Sequence, residues 1–138
     1  MISKRCDYAL RAMLELALRE GKGPVAIGKI AKARGIPVRF LEAILRQLKQ
    51  SGLADSERGK EGGYFLAKPA HELAVGDVIE IFEDRIHERK RGQHRDVFTE
   101  LWQQADDAVQ TVYRSVTFAD LAENEIQRHQ GEAGNFSI

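Results

Sequence analysis

Cysteine occurs once in this chain of 138 residues, as Cys6. One thiol cannot close an intramolecular disulfide, nor can it supply a four-thiolate metal site within one chain. Long apolar runs are missing as well. No stretch of about 18 residues is apolar enough to predict a membrane-spanning helix. The N-terminus, MISKRCDYAL, has neither the apolar core nor the cleavage site of a signal peptide. These absences predict a soluble, cytoplasmic protein without a membrane partner. Catalytic signatures are also lacking. There is no nucleophile motif, Walker loop or zinc-protease pair, and the four histidines are scattered. The expectation is therefore a protein that is not an enzyme.

Net charge is zero over the whole chain, yet the charge is unevenly placed. From Met1 to Ala70 there are 14 Lys and Arg against 7 Asp and Glu, a balance of +7. From His71 to Ile138 the numbers reverse, 7 against 14, a balance of −7. Such asymmetry suggests an N-terminal half that faces a polyanion, although ordinary clustering of solvated charge produces it too.

What is present is a series of short amphipathic segments separated by glycine and proline. Ser3 can cap a first helix reaching about Arg19, with Tyr8, Ala9, Ala12, Met13, Leu16 and Ala17 on its inner face. GKGP at 21–24 stops it. A second helix is predicted from Ile27 to Arg34. Gly35 then supplies a turn, and Pro37 suits the first position of a third helix ending near Ser51. Leu41, Ile44, Leu45 and Leu48 form that helix's core stripe. Leu53–Ser56 and Tyr64–Ala67 read as strands joined by a basic, glycine-rich tip. Val75, Val78, Ile79 and Phe82 mark a short helix. A polar, basic stretch, DRIHERKRGQHR, reads as a mobile loop.

A long helix is predicted from Val97 to Val116. Its wide apolar stripe includes Phe98, Leu101, Trp102, Val109, Val112 and Tyr113, the candidate dimer contacts. Thr117 and Asp120 resemble a capping box for a last helix, and the tail from Gly131 is expected to be loose. The fold class is mainly α with a small β-wing: a winged helix-turn-helix domain plus a long C-terminal dimerisation helix. The expected division is a DNA-binding domain over 1–83, a basic loop over 84–96, the dimerisation and C-terminal helices over 97–130, and a tail over 131–138.

A helix, a turn, a helix and a basic wing in direct succession point to DNA. In a helix-turn-helix the second helix enters the major groove and its first residues meet base edges. Val38, Arg39, Phe40, Glu42 and Ala43 occupy that position. Arg39 can donate to guanine or phosphate, and Glu42 can accept from the cytosine amine. Arg58 and Lys60 at the wing tip can reach an adjacent groove or phosphates. Lys4, Arg5, Lys29 and Lys32 are candidate phosphate contacts, which position the protein without reading sequence. Phe40 has a second reading, packing at the base of the recognition helix.

These residues carry a family resemblance. YALRAMLELAL (Tyr8–Leu18), GPV followed by IAKARGIPVRFLEAILRQLKQSGL, SERGKEGGYFLAKP, LAVGDVIEIFE (Leu73–Glu83) and SVTFADLAE (Ser115–Glu123) occur in family order. The chain resembles the Rrf-two family of bacterial winged-helix regulators, the group of IscR, NsrR and CymR. The resemblance implies a homodimeric transcription factor, a repressor by expectation, acting on a roughly palindromic operator in double-stranded DNA. It places Arg39 and Glu42 at base-reading positions and Arg58 at the wing position that enters the minor groove.

The chain also departs from that pattern. Many relatives hold an iron–sulfur cluster through three cysteines in the loop before the long helix, and the stretch Asp84–Arg95 contains none. A conventional cluster is excluded on ligand count, so no cofactor is expected. Asp7 matches a cluster-ligating aspartate of the nitric-oxide-sensing branch, a correspondence without chemical meaning once the cysteines are gone. His87 and His94 read as solvated side chains or as substitute metal ligands. Cys6 reads as an inert, partly buried thiol or as a redox sensor whose pKa is lowered by Lys4, Arg5 and a helix N-terminus. The basic loop can hold a metabolite anion, touch DNA phosphates or be solvated. A different class of function stays open too: a winged helix that docks a partner enzyme, as CymR-like relatives do while retaining DNA binding.

Overall fold

The computed structural model describes residues 2–83 and 95–136, with the side chains of 133–136 excepted. The predicted basic loop therefore lies almost wholly outside the described residues, and so do His87 and His94.

Helix α1 (Lys4–Leu18) is the centre of the molecule. Ser3 caps it, its hydroxyl accepting from the Cys6 amide at 3.1 Å. Cys6, Ala9, Ala12, Met13, Leu16 and Ala17 are buried at helical spacing. Helices α2 (Ile27–Arg34) and α3 (Val38–Gln50) pack against it. Between them Gly35 adopts φ 63°, ψ 37°, the left-handed cap conformation that glycine reaches without a Cβ penalty. Pro37 sits one position earlier than the sequence suggests. Its ψ of 132° is extended, so it precedes the helix, and its carbonyl accepts from Phe40 and Leu41. Leu41, Ile44, Leu45 and Leu48 are all buried.

Strands β1 (Ala54–Glu57) and β2 (Gly63–Leu66) pair antiparallel, Ala54 opposite Leu66 and Glu57 opposite Gly63. Val25 adds a bridge on the far side of β2, exchanging two backbone hydrogen bonds of 2.8 Å with Tyr64. The wing is thereby tied to the segment entering α2, a pairing that the alternation of so short a stretch did not reveal. A single 3-10 turn (Ala70–Glu72) leads to α4 (Val75–Phe82).

Helix α5 (Val97–Ser115) is capped by Asp96, whose carboxylate accepts from the amides of Phe98 and Thr99 at 3.0 Å. Helix α6 (Phe118–Phe136) follows. The predicted box at its start is present: Thr117 and Asp120 exchange hydrogen bonds of 3.0 and 3.1 Å. The chain returns here to the head. Val75 N–H donates to Val116 and Phe118 N–H to Leu73, both at 2.9 Å. Phe118 is completely buried, and with Ala122 it joins the same core as α1–α4. The expectation of a loose tail from Gly131 is corrected: α6 runs on to Phe136. Each of the two glycines in its last turns, Gly131 and Gly134, costs only about 1 kcal/mol relative to alanine, too little to end it.

Candidate nucleic-acid interface

The amphipathic contrast along α3 places the interface. One face is fully buried; Val38, Arg39, Phe40, Glu42, Ala43 and Arg46 are exposed. Val38 and Phe40 stand out because they are apolar yet 44% and 46% exposed. At the wing, Arg58 and Lys60 are exposed on the tip between β1 and β2. Glu42, Arg58 and Lys60 enter no hydrogen bond or ion pair among the described residues, so their charges remain available. The wing is braced against α3, because Lys49 Nζ donates to Ser56 Oγ at 2.7 Å.

The tip needs its glycines. Gly59 has φ 115°, and the Gly62 amide donates back to its carbonyl at 3.1 Å. A Cβ on Gly63 would collide with the backbone of Val25. The glycine pattern thus serves close packing at the base of the wing as well as freedom at its tip.

The candidate phosphate contacts from α1 divide. Arg5 donates to Gln47 Oε1 at 2.8 Å and lies 5.8 Å from the Phe82 ring centre, so its guanidinium ties α1 to α3 and α4. Lys4 lies over the Tyr8 ring at 5.3 Å. Tyr8 in turn stacks on Phe40, ring centres 6.4 Å apart, and Arg39 covers Phe40 at 4.8 Å. Lys4, Arg5, Tyr8, Arg39, Phe40, Ala43 and Ile44 line a cleft of about 400 Å³ between the starts of α1 and α3. Tyr8, predicted to be core, is only half-buried because it forms a wall of this cleft.

Of the two readings of Cys6, the inert thiol accords better with its surroundings than the redox sensor. Its side chain is fully buried, and burial, reinforced by the carboxylates of Glu83 and Asp7, pushes the thiol up to about 12. The adjacent cations expected to lower it point instead to Tyr8 and Gln47. Asp7 is engaged by Arg11 at 3.0 Å. Among the described residues no three His, Cys, Asp or Glu side chains gather as metal ligands. A single buried cysteine cannot supply the thiolate set that holds an iron–sulfur cluster.

Sequence reasoning missed one charged cluster. Glu15 is 6% exposed on α1 and is bound by Arg19 at 2.6 Å and Arg34 at 2.9 Å. Arg34 also reaches Glu125 of α6 at 3.3 Å. The signal was present, since Glu15 interrupts the apolar face of α1, but of its two cations only Arg19 is close in sequence and Arg34 arrives from α2.

Helix α5 has no buried residue. Val97, Phe98, Leu101, Trp102, Val109 and Val112 are all 44% or more exposed, and Tyr113 is half-buried. Phe98 and Trp102 stack with ring centres 6.3 Å apart.

Comparison with known proteins agrees with this geometry. The family model named Rrf2, described as an iron-dependent transcriptional regulator, matches residues 2–124. The HTH-type transcriptional regulator IscR of Pectobacterium atrosepticum is 34% identical over 131 residues, which span 90% of this chain and 80% of the relative. Two solved structures match with a TM-score of 0.80. One is IscR of T. potens, at 30% identity over 91% of this chain and 88% of that one. The other is CymR, the global cysteine regulator of B. subtilis, at 33% identity over 90% and 97%.

Proposed function

The chain belongs to the Rrf2 family of winged helix-turn-helix transcriptional regulators, and we propose that it works as a homodimeric repressor reading a roughly palindromic DNA operator. The observation that carries the reading is the exposed, unpaired set on α3 and the wing. Arg39 and Glu42 face outward at the start of the recognition helix, and Arg58 and Lys60 do so at the wing tip. Arg39 suits guanine O6 and N7, and Glu42 suits the cytosine amine. Arg58 supplies charge to a narrow minor groove, where potential is most negative. Lys4 and Lys60 neutralise phosphate.

The dimer reading rests on α5. A 19-residue helix with an apolar stripe and no buried residue leaves a large hydrophobic surface in water. Soluble proteins rarely tolerate such a patch unless a partner covers it. Pairing two α5 helices would cover Phe98, Leu101, Trp102, Val109, Val112 and Tyr113. It would also set two recognition helices about 34–36 Å apart, or a multiple of that, on one face of the duplex. Repression follows if the bound dimer occludes a promoter. The Fe–S cluster of cysteine-bearing relatives plays no part in this reading. The signal reaches the protein through a small-molecule effector or a partner protein.

The test is a selection of bound duplexes from a random-sequence pool, run alongside light scattering. The expected result is one enriched inverted repeat and a dimer at micromolar concentration. A monomer, or binding without sequence preference, overturns the proposal.

A further inference from the structure

We infer that Phe40 reads a pyrimidine C5-methyl group in the major groove, so that this chain distinguishes thymine from uracil at one position of each half-site. The inference rests on the DNA-reading function proposed above and names a determinant of its specificity.

Phe40 lies in the first turn of α3, the part of a recognition helix nearest to base edges. Its phenyl ring is 46% exposed there. The ring is not loose. Tyr8 stacks on it at 6.4 Å and the Arg39 guanidinium covers it at 4.8 Å. Ala43, one turn along the same face, extends the apolar surface, and Ile44 closes the floor. The result is an apolar cleft with Lys4, Arg5 and Arg39 around its rim.

That distribution of charge selects the occupant. A cationic rim accepts phosphate, so the cleft complements a site on a polyanion that also presents an apolar group. In the major groove the thymine C5-methyl is that group, and it is read by apolar contact. Phe40 and Ala43 would receive the methyl while Lys4 takes a neighbouring phosphate. Arg39, already over the ring, keeps its edge free to donate to a base or phosphate.

The experiment uses the full-length protein and the duplex selected above, with each thymine of both half-sites replaced in turn by uracil, which removes only the methyl. At one position per half-site the affinity is expected to fall about fourfold, the transfer value of one methyl-sized group. Changing both half-sites should lower it roughly fifteenfold. Phe40→Ala should bind the thymine and uracil duplexes equally, while Phe40→Leu keeps part of the preference. The wild-type comparison needs no variant to fold. Equal affinity of wild type for all thymine and uracil duplexes overturns the inference and leaves the DNA-reading function standing. An absence of any selected duplex would instead defeat the function on which the inference rests.

Discussion

Glu15 on α1 and Arg34 at the end of α2 are joined by a 2.9 Å hydrogen-bonded ion pair with both side chains largely out of water. Arg34 is the last helical residue before the turn into the recognition helix, and its Nη1 reaches Glu125 on α6 at 3.3 Å. The first helix of the DNA-reading pair is therefore anchored to the core helix on one side and to the C-terminal helix on the other.

Removing the Glu15 charge should be costly. Burial on its own would raise this carboxyl, but the hydrogen bonds and charges of Arg19 and Arg34 outweigh it and hold the group below its ordinary value of 4.5. Glu15→Gln leaves two guanidiniums without their buried partner and is expected to destabilise the fold by about 2–4 kcal/mol, measured by urea unfolding. The sign with pH follows. A depressed carboxyl contributes fully above its unfolded value and loses that contribution as pH falls through the lower folded value. The wild type should lose stability below about pH 4.5, and Glu15→Gln should lose less over the same range.

Cys6 should be silent. With its thiol pushed up to about 12 and fully buried, iodoacetamide at pH 8 is expected to leave the native protein unmodified and to alkylate it only in denaturant. Rapid labelling of native protein by mass spectrometry would revive a sensing role.

Leu101→Lys on α5 should break the dimer without harming the head. The side chain is 50% exposed in the single chain, so its replacement strains nothing there. A large apolar side chain buried on association contributes about 1.5–3 kcal/mol, and each dimer contains two copies. Sedimentation should show the dissociation constant raised at least a hundredfold, with circular dichroism unchanged.

Base-reading and phosphate-binding residues should fail differently. Glu42→Ala and Arg58→Ala are expected to lose about 1–3 kcal/mol on the selected duplex and to relax sequence preference. Lys4→Ala should weaken binding to all duplexes and lower the slope of log affinity against log salt by about one. Identical profiles for all three variants would refute the assigned roles.

Gly63→Ala tests the wing's attachment. The added Cβ meets the Val25 backbone, at a φ of 153° that a side chain rarely adopts. A loss of more than about 1 kcal/mol in stability is expected, with operator binding weakened because the wing is displaced.

Much of the site was legible in the residue order because its signals are local. Gly35 marks the turn, the spacing of Leu41, Ile44, Leu45 and Leu48 orients α3, and the RGxxGGYxLA run from Arg58 outlines the wing. Other features were not, since they depend on which distant segments meet. Helical spacing puts Tyr8 on the inner face of α1, but Phe40 arriving from α3 makes it a cleft wall. Two cations beside Cys6 left an acidic thiol open alongside an inert one, but the side chains of Lys4 and Arg5 turn elsewhere, and Glu83 approaches across 77 residues.

Sequence alone determined the order of elements, the outward positions of Arg39, Glu42, Arg58 and Lys60, and the lack of a thiolate set for a cluster, because periodicity, turn chemistry and ligand count need only neighbouring residues or a tally. Tertiary structure decided what those residues face. It buried Cys6, bound Glu15 between Arg19 and Arg34, brought Phe118 into the core of the head and left α5 uncovered. Each of these outcomes depends on burial and on partners from remote segments, which exist only once the chain has folded on itself.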